Sequence, residues 1–525
     1  MPCLESTRYA PTRVAELPLA PESSLTRRAF LTAVASFLDY SAKIGVSLFL
    51  TPFLVDGLGR SLFGVWEVLV RLVGYLSIAD GRPTDALRLV IANKHASQNV
   101  PMMRRAVGSA LMTWFLLCPV IAAAGAVLVW SSPALTKVAL EHAAVVRLAC
   151  ALAVVNFLLG NAIALPESVL LGMNLGHKRM GLRASLNVVS GLLVGAALYF
   201  GLGLVGIAGA QVAASAIAAV VMWFVAKRCV AWFRVAMPSW PEMRSFFGLS
   251  VWKFAGDLVA KLLLASDVVI LGLLSTTAMV TTYVLTGYAC SALVGVFTLG
   301  LGAMAPGMGG VIGEGKYAKA AALREEITAL NWICVGVCGS AVLLWNRSFL
   351  QLWVGSQNYA GVYVNALIVV MMAQTVFIRS DSYVIDATLR LSARVLISTV
   401  GAVLTIVLAV LAIPRLGMAG LCLSILAGRA VQTFSYPFLV KEYLGRPRGL
   451  NPAAFVRPAL VIAVLFAVSA YVGDRILVDR WLILVPCAAT GLALTLCIVM
   501  LAGLSADARG AVLRRMRMTL SRAAI

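Results

Sequence analysis

Apolar stretches of about 20 residues, the length that crosses a bilayer as a helix, recur along almost the whole chain, separated by short polar or basic breaks. Water is absent from the hydrocarbon core, so backbone within it must satisfy its own hydrogen bonds, and these stretches are expected to be helices rather than loops or open sheets. The chain is 61% hydrophobic and 12% charged over 525 residues, well beyond the roughly 45 to 50% apolar content of soluble domains. The fold class expected is therefore all-α, a polytopic membrane protein.

Spans are placed near Phe30 to Val55, Leu62 to Ile78, Ala106 to Trp130, Val145 to Leu171, Leu182 to Leu202 and Val205 to Ala226. A second group runs near Phe246 to Leu274, Met279 to Met304, Ile327 to Trp345, Val362 to Ile385, Val395 to Ile413, Met418 to Tyr436, Ala459 to Val472 and Trp481 to Ala502. This makes about fourteen crossings. The net charge of +21 is read as topology rather than as nucleic-acid binding, because basic residues gather in alternate connections. Arg88, Lys94, Arg104 and Arg105, then Lys178 and Arg179, then Lys227, Arg228, Arg234 and Arg244 follow even-numbered spans, as do Lys316, Lys319, Lys441, Arg446 and Arg448. Both termini are then expected in the cytoplasm of a multi-pass protein of the inner membrane. The first apolar stretch is too long for the core of a signal peptide and is read as retained.

Two internal matches indicate a repeat. Asp39-Tyr40-Ser41-Ala42-Lys43 parallels Asp257-Leu258-Val259-Ala260-Lys261, and Gly206-Ile207-Ala208-Gly209 parallels Gly417-Met418-Ala419-Gly420. The expected organisation is a cytoplasmic segment 1–29, an N-lobe 30–228, a linker 229–245, a C-lobe 246–443, two further helices in 444–503 and a basic tail 504–525. The two six-helix lobes would be pseudo-symmetric about an axis along the membrane normal.

Ionisable groups inside the bilayer are costly and tend to face a bundle interior or a wet cavity. Asp39 with Lys43, Glu67 with Arg71, and Asp257 with Lys261 stand four apart and share a helix face. Those six, with Lys253, Arg379 and Arg429, are the candidates for lining a substrate cavity; Glu167, Asp381 and Asp386 are further intramembrane acids. Asp267 lacks a base three or four residues away, which makes it the leading ion-coupling candidate beside Asp257 and Asp39. Gly and Pro gather from Gly300 to Gly310, where they permit a bend. The ten cysteines follow no metal-binding or disulfide spacing, and no cofactor or metal is expected. His95, His142 and His177 sit in or beside connections, and no phosphate-cradling Gly-Lys-Ser/Thr loop is present, so neither enzymatic chemistry nor direct use of ATP is indicated.

The chain resembles the Wzx-like polysaccharide and lipid-linked oligosaccharide flippases of the multidrug/oligosaccharidyl-lipid/polysaccharide (MOP) exporter superfamily. The resemblance covers about Phe30 to Tyr443. It rests on Pro52-Phe53-Leu54-Val55 and Leu58-Gly59 followed by Phe63-Gly64-Val65-Trp66, and on Ile78-Ala79-Asp80-Gly81. In the second half it rests on Asp267-Val268-Val269-Ile270-Leu271-Gly272 with Tyr283, on Pro306 ahead of Gly313-Glu314-Gly315-Lys316-Tyr317, and on Leu352-Trp353-Val354-Gly355 with Tyr359. It implies two lobes around a cleft that rock between inward-open and outward-open states, moving a polyprenyl-pyrophosphate-linked sugar chain between leaflets for lipopolysaccharide or exopolysaccharide synthesis. Its implied partners are that lipid-linked oligosaccharide, membrane lipids, and a polysaccharide polymerase with chain-length machinery. Lys43, Arg71, Lys253, Lys261, Arg379 and Arg429 would meet the pyrophosphate, since Lys and Arg form charge-assisted hydrogen bonds to oxyanions. Alternatives are a multidrug or cation antiporter of the same superfamily, served by the carboxylates, a lipid-II-type flippase, and, in another class, an integral membrane glycan-modifying enzyme.

Overall fold

The computed structural model describes residues 22–78, 83–96, 99–173, 181–244, 246, 266–388, 390, 392–445, 452–505 and 509–510. Among them the secondary structure is helical, with no strand. The helices are α1 (Glu22–Gly74), α2 (Pro83–Ala96), α3 (Val100–Thr136), α4 (Ala143–Gly172), α5 (Leu182–Tyr199), α6 (Gly203–Cys229), α7 (Ser266–Leu274), α8 (Thr277–Thr286), α9 (Tyr288–Gly313), α10 (Tyr317–Val354), α11 (Val362–Ala387), α12 (Ser392–Tyr443), α13 (Pro452–Arg475) and α14 (Trp481–Ile498).

Ten of the described helices are long and apolar enough to cross a membrane, and the bent pair α8 and α9 passes with them as an eleventh. α1 and α12 each consist of two arms joined at a glycine, Gly59 (φ 73°) and Gly417 (φ 55°). Positive φ costs a side chain too much to be routine, so glycine is what permits a sharp reversal without an intervening loop. With each arm counted separately the eleven make thirteen candidate crossings among the described residues, and α7 is the described part of the stretch expected as the seventh span. α2 is short and the least apolar of these helices; it packs on α3 and α4.

Helices α1 to α6 pack on one another, and α7 to α12 form a second group. The last two, α13 and α14, pack on α10 of the second group, and α13 also touches α11. Lipid tails give no hydrophobic drive for helix association, so close backbone approach and interhelical hydrogen bonds carry it instead. The two arms of α12 illustrate this: Gly401 and Gly428 face each other so closely that a Cβ on either would strike the other's carbonyl. Ser398 and Tyr436 share a buried 2.6 Å hydrogen bond between the same arms.

The bend in the eighth span comes earlier than the Gly300 to Gly310 cluster. α9 runs unbroken through Pro306, whereas α8 and α9 meet at Gly287 with a 52° bend. The break frees the Thr286 carbonyl, which accepts from Asn346 Nδ2 at 2.9 Å, and Asn346 also donates to Asn365 Oδ1 at 2.8 Å. Thr286 Oγ1 in turn donates to the Asn358 carbonyl and accepts from Ala360 N. Side chains from neighbouring helices thus satisfy the backbone of a broken helix at membrane depth.

Candidate functional site

The two groups meet along α1. At the bend, Thr281 Oγ1 donates to the Arg60 carbonyl at 2.6 Å, the Arg60 guanidinium donates to Thr282 Oγ1 at 2.9 Å, and Ser61 and Thr277 share a 3.1 Å hydroxyl bond. Gly64 lies directly on the Thr277 carbonyl oxygen. Farther along the first arm, Trp353 Nε1 donates to the Leu48 carbonyl at 2.6 Å, Tyr288 to that of Ile44 at 3.2 Å, and Tyr40 to that of Ala292 at 3.1 Å. The bonds at Arg60 and Ser61 seal the two groups against each other at the end of the bundle that carries Gly59, and those at Leu48, Ile44 and Tyr40 continue the contact along the first arm.

Behind this seal lies a charged cluster fed by both groups. Asp267, at the start of α7, accepts from Tyr283 of α8 at 3.1 Å and from the backbone of Val268. Arg429, on the second arm of α12, lies in electrostatic range of Asp267, Tyr283 and Arg379, and donates to Thr375 Oγ1 of α11 at 2.8 Å. Arg379, one turn beyond Thr375, donates to Thr298 Oγ1 of α9 at 2.8 Å, while its buried Nε has no hydrogen-bond partner. Tyr40 and Tyr383 lie in electrostatic range of Arg379. From the N-terminal group, Arg71 and Tyr75 complete the cluster: Tyr75 senses both Asp267 and Arg71, and Glu67 senses Arg71.

Electrostatic interactions link Asp267 to Arg429 and Arg429 to Arg379, Tyr75 senses both Asp267 and Arg71, and Glu67 senses Arg71; Asp39 and Lys43 differ in burial. Asp39 is 8% exposed, with its carbonyl receiving Asn187 Nδ2 at 3.5 Å; Lys43 is exposed. Sharing a helix face does not make two side chains share a neighbour when one side of that face packs on α5 and the rest is open. Lys253, Asp257 and Lys261 lie outside the described residues.

The remaining intramembrane acids have bases on other elements. Asp381 takes a two-pronged bond from Arg324, 2.9 and 3.1 Å, with both side chains largely buried. Glu167 pairs with Arg183, and Asp386 with Arg394. Arg379 and Arg429 differ from Arg324, Arg183 and Arg394 in donating to neutral hydroxyls, which leaves guanidinium donors for an incoming oxyanion. Sequence reasoning quoted Tyr40 and Tyr283 within motifs without giving them a site role, and missed Tyr75, Thr298, Thr375 and Arg324. Their only signal is a polar group on an apolar helix, and which ones converge depends on packing.

Two cavities lie away from this cluster. One of about 260 Å³ is lined by Arg347, Gln351, Tyr359 and Asp474 between the ends of α10 and α13. Burial, and then the Asp474 carboxylate, push the Tyr359 hydroxyl up to about 12. The other, of about 210 Å³, is walled by Trp114, Phe115 and Trp223. Among the described residues no group of His, Cys, Asp and Glu could hold a metal ion.

No family model and no curated protein matches this sequence. Solved structures do match in fold. The chain is similar to the lipid II flippase MurJ in an inward closed conformation, with a TM-score of 0.67, 10% identity, and coverage of 89% of this chain and 98% of that one. It is also similar to the eukaryotic MATE transporter AtDTX14, with a TM-score of 0.59, 14% identity, and coverage of 81% and 98%. An inward-facing multidrug resistance MATE family transporter of the MOP superfamily gives a TM-score of 0.58 at 12% identity, over 80% of this chain and 100% of that one. At these identities the likeness shows the fold alone.

Proposed function

We propose that this chain is a flippase of the inner membrane that carries a polyprenyl-pyrophosphate-linked oligosaccharide to the outer leaflet for cell-surface polysaccharide synthesis. The observation that carries the reading is the pair Arg379 and Arg429, two membrane-embedded guanidinium groups in electrostatic range of each other whose hydrogen bonds go to threonine hydroxyls. A pyrophosphate is the kind of ligand that offsets their burial. Arg71 approaches from the other group of helices, so a bound anion would be held by both. Rocking the N-lobe, 30–228, against the C-lobe, 246–443, would then break the seal at Arg60 and expose the anion to the opposite side. Both termini would then lie in the cytoplasm, on the side of the basic connections, and a polysaccharide polymerase with its chain-length machinery is the expected next partner for the product.

A cation antiporter fits less well. Its carboxylate would be Asp267, yet Arg429 already lies in that acid's field and Tyr283 donates to it, which lowers the attraction for a second cation. A lipid-II-type flippase would use the same anion site and differ in the sugar.

The test is a strain lacking the chain. Loss of surface glycan with the lipid-linked precursor retained on the cytoplasmic face, where an external glycosidase cannot reach it, supports a flippase. Altered dye efflux with normal glycan would instead establish an antiporter, and accumulation of exported but unpolymerised units would point to a glycan-modifying enzyme.

A further inference from the structure

The segment between the two groups of helices has an outward face that the fold itself does not use. α6 ends at Cys229, and residues 230–239 continue without regular secondary structure to a short helical turn at 240–244. Its inner side is fastened to the first turns of α3. Arg104 Nε donates to the Trp232 carbonyl at 3.0 Å, Ala236 N donates to the Arg104 carbonyl at 3.3 Å, and Arg105 pairs with Glu242 at 3.1 Å. Phe233 and Val230 are buried against Ala226 and Val107. The other side carries Met237, 94% exposed, Trp240, 73% exposed, and Val235, 53% exposed.

Irregular backbone cannot lie in hydrocarbon facing lipid, so these apolar side chains are not part of a span. Nor do they sit in a neutral setting. Lys227, Arg228, Arg234 and Arg244 are all exposed, and among the described residues none pairs with a carboxylate. The acid of the segment, Glu242, is already engaged by Arg105 and by the Ser239 backbone N–H at 2.9 Å. Exposed aromatic and aliphatic side chains alternating with unpaired cations match one surface: the headgroup layer of a bilayer containing anionic phospholipid, where Trp is favoured and each basic residue gains from the surface charge.

We propose that residues 227–244 form a lipid-binding strap, with Val235, Met237 and Trp240 seated in the headgroup layer and Arg228, Arg234 and Arg244 on anionic phosphates. Because its three bonds run to α3, the strap travels with the N-terminal group of helices and fixes that group to the membrane surface. The assignment does not depend on what the protein carries.

The test places the photo-crosslinker p-benzoylphenylalanine at Met237 of the full chain, in nanodiscs of phosphatidylcholine with about 30 mol% phosphatidylglycerol. Irradiation followed by mass spectrometry should give lipid adducts in which phosphatidylglycerol exceeds its mole fraction by about twofold or more. The double variant Arg228→Glu and Arg234→Glu should return that share to the mole fraction. The same crosslinker at Val220, 72% exposed on α6, should label both lipids without preference and shows that lipid capture is working. Adducts at 237 confined to protein, or lipid adducts in proportion to composition with the arginines intact, would overturn the proposal.

Discussion

Thr281 Oγ1 donates a 2.6 Å hydrogen bond to the backbone carbonyl of Arg60, one residue after the glycine where α1 reverses. Arg60 opens the second arm of α1, and a hydroxyl reaching its carbonyl from α8 ties the two groups of helices together beside the break. Alternating access requires that tie to open. With cysteines replacing Ser61 and Thr277, whose hydroxyls are 3.1 Å apart, oxidation should lock the seal and stop transport, and reduction should restore it. Unchanged surface glycan in cells whose protein is fully cross-linked would exclude rocking at this boundary.

Gly64 makes a complementary prediction. A Cβ at this position would fall on the Thr277 carbonyl oxygen, a backbone atom that no side-chain change can remove. Gly64→Ala should therefore disfavour the sealed state and lower transport, and shortening Thr277 to Gly should not rescue it. Spin-label distances across the seal should lengthen in the variant while expression stays normal.

The anion reading predicts that Arg429→Ala and Arg379→Ala each reduce transport by roughly 10- to 100-fold, the loss expected for a charge-assisted hydrogen bond. Arg429→Lys should recover only part, because an ammonium lacks the planar fork that reaches a hydroxyl and an oxyanion together. Neutralising Arg415, exposed beside Gly417, should have little effect. Surface glycan measured at matched expression reads all four variants, and equal behaviour of Arg415→Ala and Arg429→Ala would remove the site.

Much of the architecture is written in periodic hydrophobicity, because backbone satisfaction in lipid leaves so few options. Leu58-Gly59 and Gly417 even mark where two long helices turn back. The site is less legible. Arg71, Asp267, Arg379 and Arg429 stand out as charges in apolar runs, yet the rule of spacing by four, which does put Arg71 within range of Glu67, leaves Asp39 and Lys43 in different surroundings. Partners such as Arg324 and Asp381, 57 residues apart, follow from which helices pack together. Periodicity carries no information about that.

That last pair is structural. Asp381 and Arg324 are 11% and 15% exposed and join α10 to α11. Breaking a buried pair strands one charge, so Asp381→Asn should lower stability by about 2 to 4 kcal/mol, read as a fall in the thermal unfolding midpoint in detergent. Replacing both residues with apolar side chains of similar volume, Arg324→Met with Asp381→Leu, should be close to neutral. If the single variant is as stable as the parent, the pair is not holding these helices.

Outside the membrane, Glu242 gives a pH prediction with a definite sign. The backbone N–H and hydroxyl of Ser239, and then Arg105, hold its carboxyl below the usual carboxylate range. A depressed value means that the docked strap gains from ionised Glu242 above the ordinary carboxylate value and loses that gain as pH falls through the lowered one. Relative to the intrinsic rate at each pH, protection from hydrogen exchange in residues 236–244 should thus be high at neutral pH and fall in acid, and Glu242→Gln should have lost that protection already at neutral pH. Exchange in the variant as slow as in the parent would mean that the contacts at Arg104 hold the segment without this carboxylate.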